Sequence, residues 1–172
     1  MKPGNVTPQM GNLFVPSGFM GNYASISLNE CCRTSPQSGK MATRIDISIS
    51  GVPSWAGVQW LANGEWNGPG INLYRVLGES EKSGIMLGFW AKGLRGHEMV
   101  KFGYGGNFGS LHKYEDDWTA LDTVWTPYSF SFSRQDDLSD VIGGLFMVTD
   151  LLHNRGRPVT VFVDSIYFET TE

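Results

Sequence analysis

The sequence predicts an all-β fold, a two-sheet antiparallel β-sandwich, and three observations support this prediction. Short segments alternate apolar and polar residues with period two, which is the pattern of strands that have one buried face. Glycine, asparagine, proline and serine separate these segments, and the 172 residues include 22 glycines. Aromatic residues make up 13% of the chain, and such side chains are favoured in sheets.

The alternation assigns one face of each predicted strand to the core. The residues predicted to point inward are, in chain order, Ile45, Ile47, Ile49, Ala56, Val58, Trp60, Ile85, Leu87, Phe89, Ala91, Val100, Phe102, Tyr104, Tyr128, Phe130 and Phe132. A nearly continuous apolar run over residues 159–169 predicts a final strand. One short helical turn is predicted near residues 134–142, with Asp136 or Asp137 as its cap.

Length and charge limit the possible classes of protein. The chain fits one domain, residues 13–172, preceded by a tail at residues 1–12. A net charge of −4 with 13 scattered basic residues argues against a nucleic-acid partner. The sequence has no run of eighteen apolar residues, which a membrane span would need. The first twelve residues lack the apolar segment of a signal peptide. Cys31 and Cys32 are adjacent, so we expect two free, buried thiols.

Segments along most of the chain resemble a known family. They include "PSGFMG" at residues 16–21, "FWAKG" at 89–93, "GHEMVKFGYGG" at 96–106 and "FVDSIYF" at 162–168. Their succession resembles the jelly-roll carbohydrate-binding modules that are attached to bacterial glycoside hydrolases. The resemblance implies a two-sheet jelly roll that binds a polysaccharide or oligosaccharide across a concave face without catalysis. It also implies an extracellular, secreted protein with a covalently linked catalytic domain.

Strand phase selects candidates for sugar binding, because sugar rings stack on exposed aromatic planes while amides and charges bond hydroxyls. Trp55 and Gln59 share the face opposite Trp60, and the same reasoning puts Trp90 and Lys101 on an open face. Trp66 and Trp118 lie in loops, where each either plugs an end of the sandwich or walls a cleft. Trp125 matches a packing position of the family. The predicted binding residues are Trp55, Gln59, Trp66, Trp90, Lys101 and Trp118.

The resemblance also implies a structural Ca²⁺ site. Asp164 matches a family aspartate near the end of the last strand, with Asn22, Glu30 and carbonyls near Gly39 as further ligands. Asn22 and Ser165 stand where the family commonly has acids, and both changes remove negative charge from a cation that prefers several oxygens. In the other interpretation, Asp164 is a turn residue that bonds its own backbone.

Two further functions stay open from the sequence. A small jelly-roll hydrolase or lyase would need a carboxylate pair, and Glu98 or the acids at residues 115–117 are the candidates. A run of three acids is more typical of a solvated loop. The three histidines have no metal-site spacing. A structural domain that docks onto a neighbouring enzyme domain through the same aromatic residues is the third possibility.

Overall fold

Two antiparallel sheets pack face to face, which confirms the predicted β-sandwich. The computed structural model describes residues 13–34, 36–39, 41–78 and 84–171. The predicted tail, residues 1–12, lies outside the described residues. The strands are β1 (Phe14–Gly21), β2 (Ile26–Cys32), β3 (Ala42–Ile47), β4 (Trp55–Ala62), β5 (Gly84–Gly93), β6 (Met99–Tyr104), β7 (Tyr114–Glu115), β8 (Thr119–Ala120), β9 (Thr126–Ser131), β10 (Gly143–Asp150) and β11 (Val159–Thr171).

The order of the strands defines two outer faces. One sheet has the order β1-β4-β10-β6-β7, with β8 also paired to β6, and we call it the six-stranded sheet. The other has the order β2-β3-β11-β5-β9, and we call it the five-stranded sheet. Each sheet turns one face inward to the shared core. The two outer faces therefore lie on opposite sides of the molecule.

The predicted inward residues form the core between the sheets. Thirteen of the sixteen are buried in one cluster, and the other three (Ile49, Tyr128 and Phe130) are partly buried and pack against it. Phe89 is fully buried in this cluster, with its ring centroid 4.8 Å from that of Phe102 and 5.5 Å from that of Tyr128. Aromatic rings at such distances and inclinations add to the stabilisation that burial gives.

The predicted helical turn near residues 134–142 is wrong. Asp136 accepts the backbone N–H of Ser133, and Asp137 accepts that of Ser139, so both carboxylates stabilise non-helical turns. The chain instead forms one short helix, α1 (Leu73–Leu77), whose N-cap is Asn72. No helix among the described residues is long and apolar enough to cross a membrane.

Both cysteine thiols are free, but only one is buried. Cys32 is buried at the end of β2, whereas Cys31 is exposed. The prediction of two buried thiols is therefore wrong for Cys31. Neighbouring residues of a strand point to opposite sides, and β2 is an edge strand of its sheet.

The core packing around Phe89 can be tested by truncation. We expect Phe89→Ala to lower the free energy of unfolding by about 3–5 kcal/mol. Removal of the ring loses its buried contacts and leaves a cavity that the surrounding side chains fill only in part. Leu152→Ala, at a side chain that is 81% exposed, is the control and is expected to change stability by less than about 0.5 kcal/mol. Urea unfolding measures both, and equal effects would contradict the assigned core.

Candidate functional site

The outer face of the six-stranded sheet carries most of the predicted binding residues. Antiparallel pairing places side chains of β4, β10 and β6 in rows across this face. The rows are Gln59–Phe146–Gly103, Gly57–Val148–Lys101 and Trp55–Asp150.

Two glycines in these rows make room for a depression. A Cβ atom on Gly103 would overlap the Phe146 ring, so Phe146 lies flat across that glycine. Gly57 admits Val148 and the end of Met20 in the same way. The result is a cavity of about 460 Å³ on the sheet face, which we call the trough. It is lined by Met20, Ser54, Trp55, Gln59, Lys101, Gly105, Gly106, Asn107, Lys113, Glu115, Trp118, Phe146, Val148, Thr149 and Asp150.

Trp55 lies at the start of β4 and is the exposed aromatic plane of the trough. Its side chain is 43% exposed. The indole ring packs against the backbone of Gly21, where any Cβ atom would collide with it. Gly21 also has a φ of +66°, which favours glycine. The glycine thus supports the indole while leaving much of it open to solvent.

Trp118 lines the trough on the side of β6. Its ring stacks on the imidazole of His153, with centroids 3.8 Å apart and planes inclined by 21°. The Nδ1 atom of His153 lies 2.8 Å from Oδ2 of Asp150, which fixes the imidazole at the end of β10. The Lys101 Nζ atom is 5.3 Å from the Trp118 ring centroid, within the range of a cation–π contact. These contacts hold the indole in place beside the sheet.

A buried amide closes one end of the trough. Gln59 is only 3% exposed, although it points outward from the sheet. Its Nε2 donates to the carbonyl of Gly105 at 2.8 Å, and its Oε1 accepts from Nδ2 of Asn107 at 2.7 Å. The side chain therefore bonds the loop after β6 to the middle of β4. The bond to Gln59 therefore positions the Asn107 side chain, which is only partly buried.

Charged groups line the remaining side of the trough. Lys101 Nζ lies 3.1 Å from Oε1 of Glu115, and Lys113 Nζ lies 3.6 Å from its Oε2. The Lys113 Nζ is also 5.3 Å from the Phe146 ring centroid. The two lysines and the glutamate offer donors and an acceptor in a fixed arrangement. Hydroxyl groups bond such arrangements readily.

Tyr104 belongs to the core edge and not to the trough, as its strand phase predicts. The side chain is buried beside the rings of Phe130 and Phe132. Burial raises the pKa of the Tyr104 phenol, and the nearby Asp136 and Tyr114 raise it further. The residue therefore stays neutral.

The structure brings together four of the six predicted binding residues in the trough: Trp55, Gln59, Lys101 and Trp118. Trp66 lies on the same side of the sheet but beyond the Gln59 end of the trough. Its ring covers Gly18 and Leu61 of β1 and β4, and it is 38% exposed. It therefore extends the face instead of walling the trough.

The prediction that Trp90 shares a face with Trp55 is wrong. Trp90 lies on β5, paired with Asp164 of β11 and Pro127 of β9, and therefore belongs to the five-stranded sheet. Strand phase predicted its outward orientation, but phase does not tell which of the two sheets contains a strand. Trp125 lies on that same side, with its ring 6.5 Å from that of Phe162.

The trough residues that the sequence analysis missed include Asn107, Lys113, Phe146 and Asp150. The last two belong to β10, where the period-two rule gives a detectable signal, since Leu145 and Met147 face the core. The others lie in or after a glycine-rich loop, where no periodicity applies.

The predicted calcium ligands are not assembled at one point. Asp164 and Glu30 line a common small cavity, but Asn22 lies at the opposite end of β1 and donates to the carbonyls of Ser50 and Pro53. Both carboxylate oxygens of Asp164 already accept hydrogen bonds, of which the one from Ser165 is the local bond of the turn interpretation and the others come from a distant segment. The donors are the backbone N–H groups of Gln37 and Ser38 on Oδ2, and of Ser165 on Oδ1.

A cation prefers several free oxygens, so these residues do not fit Ca²⁺. Within residues 13–34, 36–39, 41–78 and 84–171, no group of three or more His, Cys, Asp and Glu side chains is arranged to hold a metal ion.

The acids considered for catalysis do not form a pair at the trough. Glu98 is 6% exposed and lines a separate cavity, in which it is the only acid among the described lining residues. Its Oε1 accepts the N–H of Arg95 at 2.7 Å. Glu115 is held between Lys101 and Lys113. Glycoside hydrolysis needs two carboxyl groups about 5–10 Å apart across the scissile bond, and Glu98 and Glu115 line two different cavities.

Comparisons with solved structures give the fold a name. The family 30 carbohydrate-binding module of the cellulosomal cellulase Cel9D-Cel44B of Clostridium thermocellum is similar, with 15% identity, a TM-score of 0.60 and coverage of 92% of this chain and 94% of that one. The xylan-binding domain CBM22-1 of Paenibacillus barcinonensis Xyn10C has 10% identity, a TM-score of 0.54 and coverage of 100% and 98%.

The chain has the fold of a carbohydrate-binding module. An exo-β-agarase shares this fold over 97% of the chain and 25% of its own length, with 9% identity and a TM-score of 0.64. No family model matches the sequence, and no curated protein matches it in sequence. At these identities the similarity shows the fold of a carbohydrate-binding module but not a ligand.

The bond between Asn107 and Gln59 gives a testable prediction. We expect Asn107→Ala to lower the free energy of unfolding by about 1–3 kcal/mol, because it leaves the buried Gln59 Oε1 without its donor. Asn63→Ala is the matched control. Asn63 also has a positive φ, 54° against 64°, but its amide makes only a 3.4 Å bond to Pro69. Equal losses in chemical unfolding of the two variants would show that the Gln59 bond does not matter.

Proposed function

We propose that this protein is a non-catalytic module that binds a polysaccharide along the trough of the six-stranded sheet. The observation that carries the proposal is the pair Trp55 and Trp118, which stand on either side of β10 above a floor of apolar side chains. Two strand spacings separate β4 from β6, about 10 Å. Sugar rings placed between them contact an indole on each side.

The polar groups of the trough suit the hydroxyls of a neutral glycan. Lys101 and Lys113 donate, Glu115 and Asp150 accept, and Asn107 does both. Exposed aromatic side chains beside such groups are typical of interaction surfaces on a soluble domain. Trp66 lengthens the same face beyond Gln59.

A β-glucan of the cellulose type is the proposed ligand. The similar structures support this choice, since one is a module of a cellulase and another is named as xylan-binding. Both names point to extended β-linked chains. The proposal includes a larger, secreted carbohydrate-active enzyme as the parent protein, with a covalently linked catalytic domain.

The tryptophans of the trough give the direct test. We expect Trp55→Ala and Trp118→Ala each to weaken binding to soluble β-glucan about 30-fold, the equivalent of about 2 kcal/mol for a central aromatic contact. Trp90→Ala, on the opposite sheet, is the matched control and should leave binding unchanged. Affinity electrophoresis in gels with and without the polysaccharide measures the three variants side by side.

Three other results would contradict parts or all of this proposal. Loss of binding with Trp90→Ala, but not with Trp55→Ala, would move the site to the five-stranded sheet. Release of reducing sugar by the wild-type protein would show that the module is catalytic. If the folded protein bound neither β-glucan nor xylan nor mannan, the proposal would be overturned altogether.

A further inference from the structure

A second cavity lies beside the trough, at one end of the sandwich. Its volume is about 650 Å³. The loop between β5 and β6 supplies Arg95 and His97, and the connection between β10 and β11 supplies His153, Arg155 and Arg157. We call this cavity the basic pocket.

The charge of the basic pocket opposes that of the whole chain. Three of the seven arginines and two of the three histidines line it, in a protein whose net charge is −4. Among the described lining residues, the three arginines outnumber the one acidic residue, Glu98. None of the three guanidinium groups forms an ion pair with any carboxylate in the described part of the chain. Guanidinium groups without a protein partner are well suited to planar or tetrahedral anions.

The loops that hold the arginines are firmly attached to the sheet. Asn154 is buried and bonds both backbone groups of Met99, accepting its N–H at 2.9 Å and donating to its carbonyl at 2.9 Å. The N–H of Arg157 in turn donates to the carbonyl of Asn154 at 3.0 Å. Preorganised loops of this kind lose little entropy when they bind a ligand.

Glu98 fixes the loop from β5 to β6 in a similar way. Its Oε1 accepts the N–H of Arg95, and its Oε2 is buried against Gly93 without a hydrogen-bond donor among the described residues. A buried carboxylate without full pairing is costly.

The basic pocket and the trough share a wall. His153 lines the basic pocket, and its imidazole stacks at 3.8 Å on Trp118, which lines the trough. Asp150, bonded to that imidazole, also lines the trough. A chain lying in the trough therefore passes directly beside the basic pocket as it crosses Trp118.

We propose that the basic pocket binds an anionic substituent of the glycan held in the trough, either the carboxylate of an acidic sugar or a sulfate ester. This proposal rests on the proposed function, because the trough holds the glycan backbone. The uncharged sugar units of the glycan lie along the trough, and the anionic substituent reaches past Trp118 to the guanidinium groups. The structure thus assigns the protein a preference for acidic glycans over neutral ones with the same backbone.

Three soluble polymers with one backbone provide the test: hydroxyethyl cellulose, carboxymethyl cellulose and cellulose sulfate. We expect the wild-type protein to bind at least one of the anionic polymers roughly tenfold more tightly than the neutral polymer at low ionic strength, as charge-assisted hydrogen bonds provide. The preference should shrink as salt is added. Carboxymethyl cellulose and cellulose sulfate distinguish the two kinds of anion.

Paired variants locate the effect. Arg155→Ala with Arg157→Ala should abolish the preference and leave the affinity for hydroxyethyl cellulose unchanged. The matched control is Arg75→Ala with Arg134→Ala, which lowers the net charge equally at exposed positions away from the pocket. All four arginines are exposed, so we expect both double variants to fold, and thermal unfolding checks this.

The outcomes separate this proposal from the proposed function. Equal affinity of the wild type for the neutral and both anionic polymers would contradict anion binding in the basic pocket. A preference for anionic polymers that the Arg155/Arg157 variant retains would contradict it too. Loss of the preference in the Arg75/Arg134 control would show an effect of net charge alone and would also overturn it. Binding of anionic polymers that needs the pocket arginines, but not Trp55, would support the pocket and overturn the trough.

Discussion

The amide of Gln59 needs hydrogen-bond partners from the protein, because water is excluded from its surroundings. It projects from the outer face of the six-stranded sheet, yet only 3% of it is exposed. An unpaired buried amide would cost about 1–3 kcal/mol. The carbonyl of Gly105 and the amide of Asn107 meet this requirement, which draws the loop after β6 over the sheet. That loop forms the end of the trough, above the row of side chains that strand pairing places.

Period-two alternation explains how much of the fold could be predicted from the sequence. It identified the inward residues of five strands, because a strand in a sandwich has one face for the core. It also identified Trp55, Gln59 and Lys101 as outward residues. The alternation carries no information on which sheet a strand joins, since this depends on long-range pairing. Trp90 was therefore predicted as outward correctly but was placed on the wrong side of the molecule.

The parts of the site that loops build could not be predicted in this way. The stack of Trp118 on His153 joins residues 35 positions apart through two irregular segments. The contact of Asn107 with Gln59 spans 48 positions. Asp164 shows the same limit, because the resemblance implied a cation ligand while the folded chain supplies three backbone N–H groups to its carboxylate. Such arrangements depend on where the strands bring the loops, and local sequence does not record that.

Direct observation of the tryptophan indoles during titration tests the central claim, that a glycan binds on the outer face of the six-stranded sheet. The six tryptophans each give one indole N–H signal in a ¹⁵N-labelled protein, and single substitutions assign them. On addition of a β-1,4-linked glucan oligosaccharide, the account predicts shifts of the Trp55 and Trp118 signals with those of Trp90 and Trp125 unchanged. Shifts confined to Trp90 and Trp125 would contradict it.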